Sequence, residues 1–293
     1  MDEKDFEILS DLVKTCNISR TAQRQFTTQS AITKRLQKIE EELQLQLFVR
    51  SKKGLQPSPA LEGLLPELRA AMEAVERLRD HAASYNGEIS GSLKMGVSVN
   101  YARYRLPEVL SDFMTRYPKV DIHIKANRSV NVYKDLMNGE TSFAIVRGEY
   151  TWRGGNMILG EDQHYLVYSK NYKPEQLNDL TFVARESDAG YMADLSAWMN
   201  ERGLRLSRSE LLINDVETIR TLVERGVAWS VLPGICLGQF QGVAEPITFR
   251  DGSLFLRRTH ILYRSDYFAL PQVQAFVEVA KEHEAALELN PIT

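Results

Sequence analysis

The sequence predicts an α + α/β protein, with a small helical domain, one long helix and a large α/β domain in that order. Apolar residues recur at helical spacing through residues 6–43, and again without interruption through residues 59–85. From Leu93 onward, short apolar runs alternate with helical patterns. Such alternation is typical of parallel strands joined by helices. The predicted domain limits are 1–58, 59–87 and 88–293.

Length and composition describe an ordinary folded protein. The chain has 293 residues, of which 43% are hydrophobic and 26% charged, enough for two or three domains. It shows neither a secretory start nor an apolar run of about twenty residues, so we expect a cytoplasmic protein with no membrane partner. Cys16 and Cys236 fall in separate predicted domains, which favours buried thiols over a disulfide.

The first domain is predicted to be three short helices. Phe6, Leu9, Val13 and Cys16 form one helical stripe. Two further helices follow within residues 17–50, with Ser19 expected to cap the first of them and Thr28 the second. The last helix carries a stripe that must pack on its neighbours, formed by Ile32, Leu36, Ile39 and Leu43.

The opposite face of the last helix is polar. Its members are Gln29, Ser30, Thr33, Lys34 and Gln37, flanked by Arg35 and Lys38. Amides and hydroxyls bind base edges, whereas cations bind phosphates, so this pattern predicts a recognition helix of a helix-turn-helix. The candidate DNA contacts also include Ser19, Arg20 and Thr28. A solvated helix face is the alternative interpretation.

Charge is unevenly distributed along the chain. Residues 17–57 hold eight lysines and arginines and three glutamates, a net charge of +5, although the whole chain carries −3. A cationic patch on an acidic body suits a modular DNA-binding protein.

A basic turn follows the recognition helix. The segment Arg50-Ser51-Lys52-Lys53-Gly54 lies between alternating apolar residues, which predicts the hairpin wing of a winged helix-turn-helix. Arg50, Lys52 and Lys53 are expected to follow the DNA backbone or enter a minor groove. A plain basic hairpin is the alternative.

One long helix then begins after Ser58, which is expected to cap it, with Pro59 in the first helical position. Pro66 is expected to bend its first turns. An apolar seam runs along it at a spacing near three and a half residues, formed by Leu61, Leu65, Leu68, Met72, Val75, Leu78 and Ala82. This spacing predicts a dimerisation helix that packs against a second copy.

The segments S-R-T-A-Q-R, T-Q-S-A-I-T-K-R-L and I-E-E-E-L-Q-L-Q-L-F-V-R together resemble the N-terminal module of the LysR-type transcriptional regulators. Three residues depart from that pattern: Thr21 and Gln25, which are expected to loosen helix packing, and Gln44, which is expected to need an unusual turn conformation. The resemblance implies a homodimer or homotetramer that binds double-stranded operator DNA and a small-molecule effector. RNA polymerase is a further candidate partner.

The remainder of the chain is predicted as alternating elements. The strands are expected at Leu93–Val99, Val120–Lys125, Phe143–Val146, two within Met157–Tyr168, Thr181–Ala184, Glu210–Asn214, Ala228–Leu232 and His260–Arg264. The helices are expected at Tyr104–Tyr117, Val130–Asn138, Met192–Arg202, Val216–Arg225 and Gln272–Leu287.

By resemblance, this part is a two-lobed α/β effector domain similar to periplasmic solute-binding proteins. Lobe 1 spans about 92–161 and 266–293, and lobe 2 about 162–265. The chain is expected to cross between lobes near Gly160–Gln163 and again near Tyr263–Ser265.

Loops after the strands are the expected effector site, because ligands bind beyond the C-terminal ends of strands in open α/β sheets. The candidates are Ser98, Asn100, Tyr101, Arg103, Arg128, Ser129, Arg147 and Ser187. The resemblance places five of them, Ser98, Asn100, Ser129, Arg147 and Ser187, in the inter-lobe cleft. The arginines favour an anionic effector such as a carboxylate, although arginines at strand ends also pair with acids.

An enzyme acting on a small anionic substrate is the rival function. The five histidines are scattered without metal-ligand spacing and are interpreted as surface or strand residues. The sequence has neither a Gly-rich phosphate loop nor a G-x-S-x-G elbow, so we expect no catalytic residue, metal or cofactor. A solute-binding module alone leaves the first ninety residues unexplained. The sequence therefore predicts a sequence-specific DNA-binding transcriptional regulator modulated by a small-molecule effector.

Overall fold

A computed structural model describes residues 1–51, 54–84, 88–205 and 210–289. They divide into two compact units, one built on residues up to 92 and one on residues from 93 onward, except that 138–140 group with the first. None of the described helices combines the length and apolar character needed to cross a membrane.

The first unit contains four helices and one hairpin among its described residues. Its elements are α1 (Glu3–Thr15), α2 (Ile18–Arg24), α3 (Gln29–Leu43), β1 (Phe48–Ser51), β2 (Gly54–Pro57) and α4 (Pro59–Ser84). The predicted stripe of α3 is confirmed, since Ile32, Leu36 and Ile39 are buried with Leu43 packed beside them. In α1, however, the buried apolar residues are Ile8, Leu9 and Leu12, with Phe6 and Val13 only partly buried.

The helix caps follow the sequence in two cases out of three. Thr28 caps α3, its side chain accepting a hydrogen bond from the Ala31 N–H at 3.2 Å. Ser58 caps α4 through the Leu61 N–H. The prediction that Ser19 caps α2 is wrong, because Asn17 accepts from the Arg20 N–H at 3.0 Å and the helix begins one residue before Ser19. Asparagine is as good a cap as serine.

The three unusual residues of this unit are accommodated by polar contacts and one backbone turn. Thr21 is buried, with its hydroxyl 2.7 Å from that of Thr15. Gln25 donates to Asp11 at 2.5 Å. Each of these two side chains has a hydrogen-bond partner on α1, so the looser helix packing that the sequence led us to expect is not seen. Gln44 adopts the left-handed conformation, with φ of 52°, as the predicted unusual turn requires.

The predicted hairpin is present, with β1 and β2 antiparallel and Ser51 opposite Gly54. Lys52 and Lys53, predicted at its tip, lie outside the described residues. In α4, which continues through Pro66, Leu61 and Leu68 are buried in the core of this unit, whereas Leu78 is 70% exposed.

The second unit is a mixed sheet covered by helices. Its strands are β3 (Gly91–Ser98), β4 (Val120–Asn127), β5 (Phe143–Arg147), β6 (Gly155–Tyr168), β7 (Thr181–Ala184), β8 (Glu210–Leu212), β9 (Ala228–Pro233), β10 (Val243–Pro246) and β11 (Leu256–Tyr263). Its helices are α5 (Val99–Tyr104), α6 (Leu106–Arg116), α7 (Ser129–Met137), α8 (Ala189–Arg202), α9 (Val216–Glu224), α10 (Ser265–Phe268) and α11 (Pro271–Leu289). The strand order is β4-β3-β5-β11-β6-β9-β7-β8, with β10 beside β6.

The sheet differs from the prediction along its central strands. The strands β5 and β3 are parallel, as are β7 with both β8 and β9, which confirms the alternating pattern at those places. In contrast, β6 is one long strand rather than two, and it runs antiparallel to β9, β10 and β11. The sequence did not predict β10. The predicted helix Tyr104–Tyr117 corresponds to α6, and the sequence did not predict the short α5 that precedes it.

Two paired strands pass through both halves of this sheet. In β6, residues up to Gln163 pair with β11, and His164–Val167 pair with β9. In β11, Leu256–Arg258 pair with Glu161–Gln163, and β11 pairs with β5 from Thr259 onward. The predicted lobe limits and the crossing near Tyr263–Ser265 stay predictions. The register shifts between Thr259 and His260.

Candidate functional site

The N-terminal half of α3 presents polar side chains to solvent. Gln29, Ser30, Lys34, Gln37 and Lys38 are exposed, as the sequence predicted. The Thr28 cap fixes the first turn of this face, and its hydroxyl lies 3.0 Å from that of Ser30. This geometry leaves the amides and ammonium groups of the helix open to a duplex.

Thr33 and Arg35 differ from the rest of this face. The Thr33 hydroxyl donates to the Gln29 carbonyl at 2.9 Å within the helix. Arg35 binds the carboxylates of Asp5, which is buried, and Asp2, both at the start of α1. Hydrogen bonding to Asp5 raises the pKa of Arg35. Arg35 thus joins α3 to α1, in contrast to the phosphate contact that the sequence predicted for it.

The surroundings of α3 hold two features that the sequence did not single out. Phe26, in the turn before α3, has a φ of 49° and is 98% exposed. Glu40 accepts hydrogen bonds from the backbone N–H groups of Leu47 and Phe48, at 2.7 and 3.2 Å. Since Phe48 starts β1, Glu40 fixes the hairpin relative to the recognition helix. Ser19 is half-buried and Arg20 is exposed on α2.

The second unit contains a cavity of about 260 Å³. Seven of the eight predicted effector residues line it: Ser98, Asn100, Arg103, Arg128, Ser129, Arg147 and Ser187. They follow β3, β4, β5 and β7, so the rule that strand ends converge is satisfied here. Ser129 also accepts a hydrogen bond from the Arg147 N–H at 3.0 Å, which fixes the end of β5 against the start of α7.

Tyr101 is the exception among the predicted residues. It lies on α5 with no exposed surface and does not line the cavity. Its position on the short helix after β3 turns it inward, and burial raises the pKa of its hydroxyl. The prediction of effector contact is wrong for Tyr101, because loop position alone does not reveal side-chain direction.

Most charges at the cavity are paired. Arg147 binds Asp162 at 2.6 Å, Arg103 lies 3.4 Å from Asp215, and Arg128 binds Glu186. Arg257, which the sequence did not single out, binds Asp188. Burial alone would raise the pKa of Asp188, but hydrogen bonds from Arg257 and the Tyr191 N–H outweigh it and the pKa is lowered.

Gly148 lies against the Arg257–Asp188 ion pair, at a position with no room for a side chain. Its φ is +107°, and a Cβ atom there would collide with the Arg257 guanidinium and lie 2.9 Å from a carboxylate oxygen of Asp188. The glycine therefore lets the chain turn immediately after Arg147 while the ion pair passes beside it.

Two further cavity residues were missed by sequence reasoning. Arg185 follows β7, two residues before the predicted Ser187, and its guanidinium lies 5.6 Å from the centre of the Tyr191 ring. His164, which the sequence placed among surface or strand residues, is a strand residue of β6 but lines the cavity and is 1% exposed. Antiparallel pairing brings β6 and β11 to this edge, which a parallel-strand rule does not anticipate.

The cavity wall contains buried polar atoms that lack partners among the described residues. They are Ser98 Oγ, Arg147 Nη1, Arg185 Nε and both ring nitrogens of His164. A buried polar group without a hydrogen bond costs about 1–3 kcal/mol. Their collection around one cavity indicates a ligand rich in hydrogen-bond acceptors. The described residues contain no cluster of His, Cys, Asp or Glu that could hold a metal ion.

Two family models match the chain. The model described as "LysR substrate binding domain" matches residues 86–285, and the model described as "Bacterial regulatory helix-turn-helix protein, lysR family" matches residues 4–61. The chain is similar to YraN, an uncharacterized HTH-type transcriptional regulator of Bacillus subtilis (strain 168). The two are 30% identical over 282 residues, covering 96% of this chain and 98% of YraN.

Solved structures share the fold. A full-length OxyR variant from Pseudomonas aeruginosa matches with a TM-score of 0.68 and 21% identity, covering 97% of this chain and 94% of that one. CbnR complexed with its target DNA matches with a TM-score of 0.66 and 16% identity, covering 97% and 100%.

Proposed function

Because the chain belongs to the LysR family of bacterial transcriptional regulators, with a helix-turn-helix DNA-binding domain and an effector-binding domain, we propose which residues carry each role. The chain is a regulator and not an enzyme. The single observation that supports the proposed effector site is the set of unpartnered polar atoms around the cavity of the second unit. The domain limits at 58 and 87 stay predictions.

For DNA, we propose that the exposed start of α3 reads the major groove. Gln29, Ser30 and Gln37 supply amide and hydroxyl groups for base edges, and Lys34 and Lys38 supply cations for phosphates. The predicted roles of Arg20 and Thr28 beside them, and of Arg50, Lys52 and Lys53 in the hairpin, stay proposals. Arg35 is assigned instead to holding the helix.

Substitution of Gln29 and Lys34 tests these roles. The wild-type protein first selects a tight-binding duplex from a random pool, and titrations then compare that duplex with a scrambled one at several salt concentrations. Gln29→Ala should lower affinity for the selected duplex by about 1–3 kcal/mol and leave the scrambled duplex unchanged. Lys34→Ala should lower both affinities and reduce the salt slope by about one. Equal losses in both variants contradict the assignment.

The effector is proposed to be a small anion. Arg147 and Arg185 each have a buried N–H group without a partner among the described residues, and both line the cavity. In all, five arginines line it beside three carboxylates, those of Glu186, Asp188 and Asp215. Charge-assisted hydrogen bonds to such donors are the strong ones. An anion would satisfy groups that are otherwise buried without partners.

Effector binding is proposed to act by a population shift between arrangements of the two lobes, passed to paired DNA-binding domains. Regulators of this family form oligomers, and the exposed Leu78 on α4 supports that helix as the contact between copies. Dimer and tetramer both remain compatible with this helix. An effector that changes neither footprint nor DNA bend would refute the coupling.

A regulator that reads chromosomal DNA acts where the chromosome lies, so we propose a cytoplasmic location. RNA polymerase is proposed as a partner at the operator. Retention of purified polymerase on the complex of regulator and selected duplex, compared with the duplex alone, tests that contact.

A further inference from the structure

His164 is held rigidly in the cavity wall. Its ring stacks on Phe255, with centroids 4.9 Å apart and an interplanar angle of 27°, and lies 5.3 Å from the ring of Tyr191. Its backbone N–H donates to Phe255 and its carbonyl accepts from Ile247, both at 2.9 Å. The imidazole is therefore aimed by the fold rather than by a hydrogen bond to its ring.

The ring nitrogens of His164 have no hydrogen-bond partner among the described residues, although the side chain is almost fully buried. A neutral imidazole has one donor and one acceptor, and burial without partners is costly for each. A histidine that served only packing would be better replaced by an aromatic residue. Because His164 lines the cavity, its unpartnered ring nitrogens point to contact with a ligand.

Charged and titratable groups surround this ring from every neighbouring element. They are Arg147 on β5, Asp162 on β6, Arg185 after β7, Asp188 and Tyr191 at the start of α8, and Arg257 on β11. Arg147 is neutralised by Asp162, and Arg257 by Asp188. Among the described residues, Arg185 has no carboxylate partner. The immediate surroundings of a neutral His164 thus carry one uncompensated positive charge.

We propose that the effector is a small dianion and that His164 takes up a proton from solvent as it binds, so that Arg185 and the imidazolium match its two charges. This inference rests on the proposed anionic effector. Protonation also gives the ring two N–H donors, which suits a ligand whose oxygens only accept. His164 becomes a specificity residue that separates dianions from monoanions.

The pH dependence follows from the charges. Burial, together with Arg185, Arg147 and Arg257, holds the pKa of free His164 well below its ordinary value, so the ring is neutral at neutral pH. A bound dianion reverses the local charge and raises that pKa, so binding takes up a proton. Affinity therefore increases as pH falls through the bound-state pKa, by up to about tenfold per pH unit. The useful window is about pH 6.5 to 8, where both carboxylates of malonate and succinate stay ionised and titration of the ligand itself does not contribute.

Calorimetry on the full chain tests the coupling. Sulfate, malonate and succinate serve as dianion probes and acetate as the monoanion, each titrated in two buffers with different ionisation enthalpies. The dianions should bind with uptake of about one proton at neutral pH, and acetate with much less. Nuclear magnetic resonance of the imidazoles should show protonation of His164 by succinate, with the exposed His123 as an internal reference for ionic strength.

Two variants sharpen the result. His164→Asn keeps a polar side chain that does not titrate, so its succinate affinity should lose the pH dependence. His123→Asn, on the exposed face of β4, should keep it. If His164→Asn does not fold, the wild-type proton count and resonance still decide the question.

The possible outcomes separate the two levels of the proposal. If no dianion binds the wild-type protein, the anionic effector and the role of His164 both fail. If dianions bind without proton uptake and without a pH-dependent affinity, only the role of His164 fails. Equal proton uptake with acetate overturns the matching of two charges.

Discussion

Replacing Arg185 with glutamine separates a ligand-binding arginine from a structural one. Arg185 has an unpartnered, buried Nε and no carboxylate partner among the described residues. Its contact with the Tyr191 ring, at 5.6 Å, contributes about 0.5–2 kcal/mol. Relief of the unpartnered donor offsets part of that loss. We expect Arg185→Gln to change the free energy of unfolding by about 1 kcal/mol or less.

Anion binding should respond much more strongly. A hydrogen bond to a charged group contributes about 1.5–3 kcal/mol, so the affinity for succinate should fall about 10- to 150-fold. Arg147→Gln is the matched contrast. It leaves Asp162, whose side chain is 16% exposed, without its cation, and loss of a buried partner costs about 3–5 kcal/mol of stability.

Calorimetry measures the affinity, and chemical denaturation followed by tryptophan fluorescence measures stability. Trp198 and Trp229 are buried in the second unit and report on its unfolding. Unchanged succinate affinity in Arg185→Gln would refute the assignment. A loss of stability as large as that of Arg147→Gln would show that Arg185 is structural instead.

Two further predictions concern the first unit. Gln44→Gly should raise the free energy of unfolding by about 0.5–1 kcal/mol in chemical denaturation, because glycine adopts the left-handed conformation without a Cβ clash. Gln37→Gly, inside α3, should lower it by about 1 kcal/mol. A gain in both variants, or in neither, contradicts this prediction. Leu78→Asp should convert the oligomer to a monomer, as measured by light scattering, while its helix content is preserved. The control Glu62→Gln, at an exposed position at the start of α4, should leave the oligomer intact. An unchanged mass for Leu78→Asp would show that the apolar seam of α4 does not form the interface.

Most predictions that rest on short stretches of the sequence agree with the structure. The stripe on α3, the Thr28 and Ser58 caps and the hairpin of β1 and β2 depend on neighbouring residues, and the structure confirms them. The sequence did not identify Asn17 as the cap of α2, because asparagine and serine, here two residues apart, are nearly equally good caps. Nothing in their spacing decides between them.

The effector cavity was only half predictable. Residues after parallel strands were identified because such ends converge, which explains Ser98, Arg128 and Arg147. His164 and Arg257 were missed because they lie on strands that run antiparallel between the two halves of the sheet. An isolated histidine in an apolar strand carries no local sign of the arginines that distant segments bring to it.

The paired passage of β6 and β11 has a mechanical consequence for regulation. The two lobes are joined by paired strands and not by flexible loops. Rotation of one lobe against the other must therefore twist a two-stranded ribbon whose backbone groups are already hydrogen-bonded. We expect such torsion to concentrate at the register shift between Thr259 and His260. Substitutions there are expected to change the resting angle between the lobes, and with it both the basal output and the apparent affinity for the effector.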